Sequence, residues 1–187
     1  MTPPGEGDAA APEITLITSA QGADFRAIAA LNVLAWGRPP RRGELEQRAI
    51  RLAEEVAALA PAGKGIFLAG GSAAPVGFCR VIRDAAEADH WWLAGIVVHP
   101  DHRRQGIGRR LALEGIGYAR ARGARVIRSE THVDNEASIR FHASLGFASE
   151  GEFTAADGDR KIGFRLEREG TLPYFPCDGD AASSKLV

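Results

Sequence analysis

Between Trp91 and Leu111 the chain reads WWLAGIVVHPDHRRQGIGRRL. An unbroken apolar run gives way to a His-Pro-Asp turn, then to arginines spaced by glycines, then to the start of a helical pattern. The apolar run suits a strand buried on both faces. Arg103, Arg104, Arg109 and Arg110 supply positive charge, and Gly106 and Gly108 let the backbone come close to a ligand. The first N–H groups of the helix that follows lack intrahelical partners and sit at the positive end of its dipole. Such a stretch binds an anion, and the pyrophosphate of a cofactor is the expectation.

Competing uses of the same residues are weaker. No Gly-Lys-Ser/Thr follows, so this is not a Walker loop, and Leu111 stands where a dinucleotide fingerprint needs its third glycine. Nucleic-acid binding would use the arginines, but no aromatic residues are interleaved with them for base stacking. A solvated loop with exposed arginines is the bland alternative. Eight arginines between residues 101 and 128 face only Asp101 and Glu114. The excess is local, since the net charge of the 187-residue chain is −1, which predicts no general affinity for nucleic acid or membrane.

The elements that must position this loop follow from periodicity and punctuation. A loose tail is expected over residues 1–12, a single domain over 13–169 and an irregular tail over 170–187. Within the domain, a short strand at Ile14 to Ile17 precedes a helix from Asp24 to Trp36, broken by Gly37-Arg38-Pro39-Pro40. A second amphipathic helix spans about Glu44 to Leu59. A hairpin pairs Gly65 to Ala69 with Val76 to Ile82, and a polar loop leads into the strand at Trp91. After it come a helix from Gly106 to Arg122, a strand from Arg125 to Thr131, and a short helix from Glu136 to Leu145 capped by Asn135 or Asp134. A last pair, Phe147 to Phe153 and Lys161 to Glu167, closes the order. The pattern predicts a mixed α/β sheet flanked by helices. Cys79 and Cys177 form no metal or disulfide spacing and read as reduced thiols of a cytoplasmic protein. No apolar run is long enough for a membrane helix. The scattered histidines suggest no metal site.

Two motifs, in order, resemble those of the Gcn5-related N-acetyltransferase (GNAT) superfamily. Val98-His99-Pro100 followed by Arg103-x-x-Gly106-x-Gly108 is similar to its first signature, and Asn135, Ser138, Gly146 and Phe147 match the spacing of its second. The resemblance covers about residues 14 to 168. It implies a mostly antiparallel central sheet whose fourth and fifth strands splay apart, and acetyl-coenzyme A as cosubstrate. Backbone groups of Ile96, Val97 and Val98 would pair with the pantetheine arm. Amides from Arg104 through Gln105, Gly106, Ile107 and Gly108 to Arg109 would cradle the pyrophosphate, with the side chain of Arg103 nearby. Asn135 and Ser138 complete the expected cofactor set.

Acetyl transfer to an amine requires loss of a proton from the ammonium, stabilisation of the tetrahedral oxyanion, and a proton for the departing thiolate. A backbone N–H of Val97 or Val98 is the expected oxyanion donor. Glu130 is the candidate base: it lies five residues before Asn135, where the ribosomal-protein N-terminal acetyltransferases resembled here carry a basic glutamate. The alternative is an exposed strand carboxylate paired with Arg128 or His132, whose pKa such pairing would lower. His142 stands where many relatives have an acidic tyrosine, one helical turn from Ser138. A histidine packed against the sheet is its competing reading.

For the acceptor, the resemblance points to the segments Gly37–Arg42, Asp84–Trp92 and Phe153–Arg160. Trp36, Trp91 and Trp92 are the aromatics nearby, and alternation turns Trp91 and Trp92 to opposite faces. Asp84, Glu87, Asp89, Asp157 and Asp159 are carboxylates that would attract a cationic amine. The expectation is an N-acetyltransferase acting on a primary amine of a small molecule, aminoglycoside-like or another metabolite. A protein N-terminus as acceptor, a non-catalytic acetyl-coenzyme A-binding module, and an RNA-binding module using the arginine face are the alternatives. A homodimer is allowed for.

Overall fold

The computed structural model describes residues 11–17, 24–35, 39–57 and 63–168. The two expected tails, apart from residues 11 and 12, lie outside these, as do Trp36, Gly37, Arg38, Pro61 and Cys177. In chain order the elements are β1 (Ile14–Ile17), α1 (Phe25–Ala35), α2 (Glu44–Ala57), β2 (Lys64–Ala69), β3 (Gly77–Arg83) and β4 (His90–Val98). After a single 3₁₀ turn at Pro100–His102 come α3 (Ile107–Ala121), β5 (Val126–His132), α4 (Glu136–Ser144), β6 (Ala148–Thr154) and β7 (Arg160–Glu167).

The strands form one sheet in the order β1-β2-β3-β4-β5-β7-β6. Every neighbouring pair is antiparallel except β4–β5, which is parallel. Helices cover both faces, as the alternation of apolar strands with amphipathic helices requires. On one face Phe67, Cys79, Val81, Trp91, Leu93 and Ile127 pack against Leu111, Ile116 and Ala119 of α3. On the other, Ile66, Leu68 and Phe78 pack against Ile28 and Leu31 of α1 and Leu52 of α2. Trp91 is therefore core, fully buried with its ring edge-on to Tyr118, and Trp92 takes the opposite face.

Local chemistry sets the boundaries within a residue or two of the sequence reading. Asp24 lies just outside α1 and caps it, its Oδ1 accepting from Ala27 N–H at 2.9 Å. Gly146, with φ +86°, ends the α4 turn, so Phe147 becomes a buried plug and β6 begins one residue later than expected. Along α3 the buried positions Ile107, Leu111, Gly115, Ile116 and Ala119 trace one stripe. Gly115 brings that stripe down onto the sheet: a Cβ there would stand 2.8 Å from Val81 Cγ1 and 3.2 Å from Cys79 Sγ.

The sheet is interrupted where it matters for function. β4 pairs with β5 only at His90, Trp91 and Trp92. Beyond Trp92 the two strands separate. On its other edge β4 stays paired with β3, but the register shifts between Cys79 and Val81, placing Ala94 and Gly95 opposite Arg80. Gly95 carries φ +107°, and Arg80 Nε donates to Ala94 O at 3.2 Å. This is a bulge, which bends and twists the strand that carries it. Among the described residues no helix is long and apolar enough to cross a membrane.

Candidate active site

The separation of β4 from β5 opens a cleft of about 1200 Å³. One wall is the released half of β4, Leu93 to Val98; another is β5 and α4, contributing Ser129, Glu130, Asn135, Ser138 and His142. Of the expected cofactor residues, Ile96, Val97, Val98, Arg103, Gly108, Asn135 and Ser138 line this cleft. Ile107 instead sends its side chain into the core at 2 % exposure.

The loop that precedes α3 presents backbone. Arg104 and Gly106 both have left-handed φ, +63° and +75°. For Arg104, a residue with a Cβ, that conformation costs about 1–2 kcal/mol. Left-handed residues alternating with ordinary ones turn successive N–H groups to the same side and form an anion-binding concavity. Arg110 N–H bonds Gly106 O at 3.0 Å, so the N–H groups of Ile107, Gly108 and Arg109 form the unpaired first turn of the helix. A Cβ on Gly108 would meet Val98 Cγ2 at 3.5 Å and Phe141 Cε2 at 3.7 Å, so this residue faces the gap between β4 and α4.

The side chains of the loop are used structurally. Arg103 donates to Val98 O and Ala35 O, both at 3.3 Å, and so buckles the end of β4 to the end of α1. Arg109 donates to Ser144 O at 3.1 Å, and Gln105 to Asp101 O at 3.4 Å. The arginine excess read in the sequence is thus partly spent on main-chain carbonyls.

Glu130 points from β5 into the cleft, with Oε1 accepting from Lys161 Nζ of β7 at 2.6 Å. That carboxylate raises the Lys161 pKa, chiefly through the hydrogen bond. The sequence offered Arg128 or His132 as its partner; the ion pair at 2.6 Å is instead with Lys161. Arg128 stands 3.8 Å from Glu87 and His132 3.9 Å from Asp159. Lys161 lies 31 residues further along the chain and reaches Glu130 diagonally on the same face of the sheet, because Glu130 pairs with Gly163 and His132 with Lys161.

His142 is 5 % exposed, its ring stacked on Phe164 at 4.5 Å between centroids. Nδ1 lies 2.7 Å from Ser138 O and Nε2 lies 2.8 Å from Ser129 Oγ. Ser129 Oγ in turn donates to Leu93 O at 3.0 Å, at the fork where β4 leaves β5. A carbonyl only accepts, so Nδ1 carries a proton. A neutral ring and one hydroxyl then hold two hydrogens for three contacts; only the cation supplies three. Burial nonetheless lowers the His142 pKa. The ring is thus packed against Phe164 and also lines the cleft. Asn135 Oδ1 caps α4, accepting from Ser138 N–H at 3.1 Å.

The expected acceptor carboxylates are engaged locally. Asp84 accepts from Trp92 Nε1 at 2.8 Å and from two backbone N–H groups, which lower its pKa with the tryptophan bond leading. Glu87 pairs with His90 and Arg128, and Asp159 with His132. Ser129, Lys161 and the cleft-lining arginines of α2 escaped the sequence reading. For α2 the signal was present: Arg41, Glu44, Arg48 and Arg51 recur at helical spacing.

Residues 28–147 match the acetyltransferase (GNAT) family. The chain belongs to that family. It is 32 % identical over 140 residues to a mycothiol acetyltransferase of Thermobispora bispora, an alignment covering 72 % of this chain and 46 % of that protein. Over 52 residues it is 42 % identical to the L-amino acid N-acyltransferase MnaT of Escherichia coli, covering 28 % of this chain and 30 % of that one. Its fold is similar to that of the ribosomal-protein-S18-alanine N-acetyltransferase of Escherichia coli, with a TM-score of 0.60, 22 % identity, and coverage of 87 % and 100 %. The chain spans less than half the length of the curated relatives it matches first. The mostly antiparallel sheet flanked by helices, with β4–β5 as its parallel pair, is the fold that this similarity covers.

Proposed function

We propose that this protein moves an acetyl group from acetyl-coenzyme A to the primary amine of a small molecule. One observation carries the reading: a single cleft runs along the released half of β4 and reaches both the glycine-rich loop, at Arg103 and Gly108, and the carboxylate of Glu130. The amides of Arg104 to Arg109 would hold the pyrophosphate, and the free edge at Ile96, Val97 and Val98 the pantetheine arm. The cosubstrate, when bound, supplies an acyl group already activated as a thioester.

The chain's own groups do the rest. An alkylammonium cannot attack, so Glu130 takes its proton, directly or through a water, while Lys161 fixes the carboxylate by Oε1. A main-chain N–H of Val97 or Val98 offsets the charge that grows on the carbonyl oxygen. Opposite Glu130, the Ser129–His142 pair handles the proton for the departing sulfur. The second proton, shed by the attacking nitrogen as it is acylated, passes through the Ser129 hydroxyl to His142 Nε2, where three hydrogens complete three hydrogen bonds, and it returns by the same route to the sulfur. Transfer is direct. The cysteine among the described residues, Cys79, is fully buried on the α3 face and burial pushes its thiol pKa up, so it is no acyl carrier.

The test is thiol release from acetyl-coenzyme A across a panel of small amines and peptides with free N-termini. Acetylated small-molecule product is expected, with no acyl-enzyme in the mass spectrum of the quenched protein. If no amine on the panel raises thiol release above background hydrolysis, the reading is wrong. A peptide acetylated faster than every small amine would move the assignment to protein N-termini.

A further inference from the structure

The wall of the cleft formed by α2 is cationic. Leu45, Ala49 and Leu52 turn α2 toward the core, leaving Glu44, Arg48 and Arg51 on the face that lines the cleft, with Arg41 and Arg42 just ahead of the helix. Glu44 is the one carboxylate of this wall among the described residues. Its Oε1 holds Arg48 at 3.0 Å and its Oε2 accepts from Arg41 N–H at 2.9 Å. That neutralises Arg48 and leaves the guanidinium groups of Arg41, Arg42 and Arg51 without a carboxylate partner among the described residues. All three are exposed and border the same cleft as Glu130.

This charge is separate from the pyrophosphate loop. α3 packs on one face of the sheet and α2 on the other, with β4 between them: Val97 packs with the α1–α2 cluster, Ile96 and Val98 with the α3 cluster. Strand alternation puts Glu130 on the α2 face, since Ile127 belongs to the α3 cluster and Glu130 is three residues on. Trp92 shares that face through its pairing with Arg128. On its far side Glu130 also borders a smaller hollow of about 180 Å³, lined by Trp92, Phe153, Glu150 and Glu152. The acceptor end therefore has two poles: the Glu130 carboxylate, held by Lys161 through Oε1, and guanidinium groups along α2.

We infer that the acceptor is dipolar, with its primary amine seated at Glu130 and an anionic group, carboxylate or phosphate, held by Arg41, Arg42 and Arg51. The inference rests on the reading that this site acetylates amines. Guanidinium forks bind both anions by paired hydrogen bonds, and a cleft lined by one sign of charge concentrates ligands of the other. A polycation of the aminoglycoside kind meets repulsion from the same wall.

The experiment uses matched acceptors at saturating acetyl-coenzyme A: an amino acid against its carboxamide, phosphoethanolamine against ethanolamine, and an aminoglycoside. In at least one pair the anionic member should show kcat/KM about tenfold or more above its neutral partner, and which pair does so tells carboxylate from phosphate. In the triple variant Arg41→Gln, Arg42→Gln, Arg51→Gln, that ratio should fall toward one. Equal turnover within both pairs, an aminoglycoside preferred over every dipolar amine, or a ratio that survives the triple variant overturns the inference. Should no amine be turned over, the proposed reaction has failed, and the same pairs are measured by calorimetry against the protein saturated with coenzyme A. Tighter binding of the anionic member then sustains the anion site; equal affinity, or no binding of either, overturns it.

Discussion

The two ends of the cleft are built in different ways. The donor end is local: β4, the turn at Pro100–His102, the left-handed pair Arg104 and Gly106, and the start of α3 lie within a score of consecutive residues. In the proposed function its binding groups are main-chain N–H, fixed by backbone conformation, and side chains there serve elsewhere, as Arg103 and Arg109 do. The acceptor end is assembled from α2, β3, β5 and β7, and its groups are side chains. A backbone site tolerates exchange of side chains but not of conformation. A side-chain site is the reverse.

The sharpest way to break the contrast is to change one group at each end. Glu130→Gln keeps size and hydrogen-bonding reach but removes the base; a loss of about 10²–10⁴-fold in kcat is expected, with acetyl-coenzyme A affinity within a few-fold of the parent. Steady-state kinetics together with calorimetric cofactor binding would check it. A small kcat effect would remove Glu130 from the chemistry. At the donor end, Gly106→Trp meets open space, with no heavy atom within 4 Å of its Cβ, but must hold φ +75°. The fold should survive, at a cost of about 1–2 kcal/mol for the left-handed backbone, while acetyl-coenzyme A binding weakens by about tenfold or more. Unchanged cofactor affinity would mean the amides of this loop are not the pyrophosphate site.

The same contrast explains what the sequence made legible. The Arg103–Gly108 loop, the Asn135 cap and Gly146 are short-range signals whose meaning depends on neighbours in the chain, and both the mixed sheet and the parting of β4 from β5 follow the resemblance they carry. Lys161 beside Glu130 was not legible, because it depends on which residue of β7 lies next to β5. The register that pairs Glu130 with Gly163 is set over 33 positions of chain. Ser129 was hidden for a similar reason: its hydroxyl matters only because Leu93 O is released at the fork. Asp84 misled in the other direction. It looked like an amine site and instead spends both oxygens on Trp92 and the turn at Ala86 and Glu87.

A smaller effect tests whether the donor platform depends on how α3 seats. Gly115→Ala would put a methyl 2.8 Å from Val81 Cγ1, a stiff β-branched side chain that is itself fully buried. Overpacking of this kind costs about 1–3 kcal/mol, offset in part by roughly 1 kcal/mol of helix propensity. Chemical denaturation should show net destabilisation, and the shifted helix N-terminus should weaken cofactor binding more than it alters acceptor KM. Equal changes in both would show that the two ends are mechanically coupled.

The least effect expected is a pH dependence carried by His142, a titratable group of α4 that reaches β4 through Ser129. Burial holds its folded pKa below the unfolded value of about 6.5. In acid the unfolded chain therefore binds a proton that the folded chain resists. Stability from this group is fully present above pH 6.5 and is lost as pH falls from there through the folded pKa. Replacing the ring with Phe removes the titration while keeping an aromatic against Phe164. The drop in Tm between pH 7.5 and pH 5.5 should accordingly be smaller in His142→Phe than in the parent, even though the variant is less stable at pH 7.5 for want of the bonds to Ser129 and Ser138. The kcat profile gives a second readout. If the Ser129–His142 pair relays a proton, its acidic limb should move in Ser129→Ala, which leaves the ring in place but cuts its link to the cleft. A profile that stays put while Tm responds would make the pair a clasp for α4 against the fork, and would leave the acceptor end with Glu130 as its sole proton-handling group.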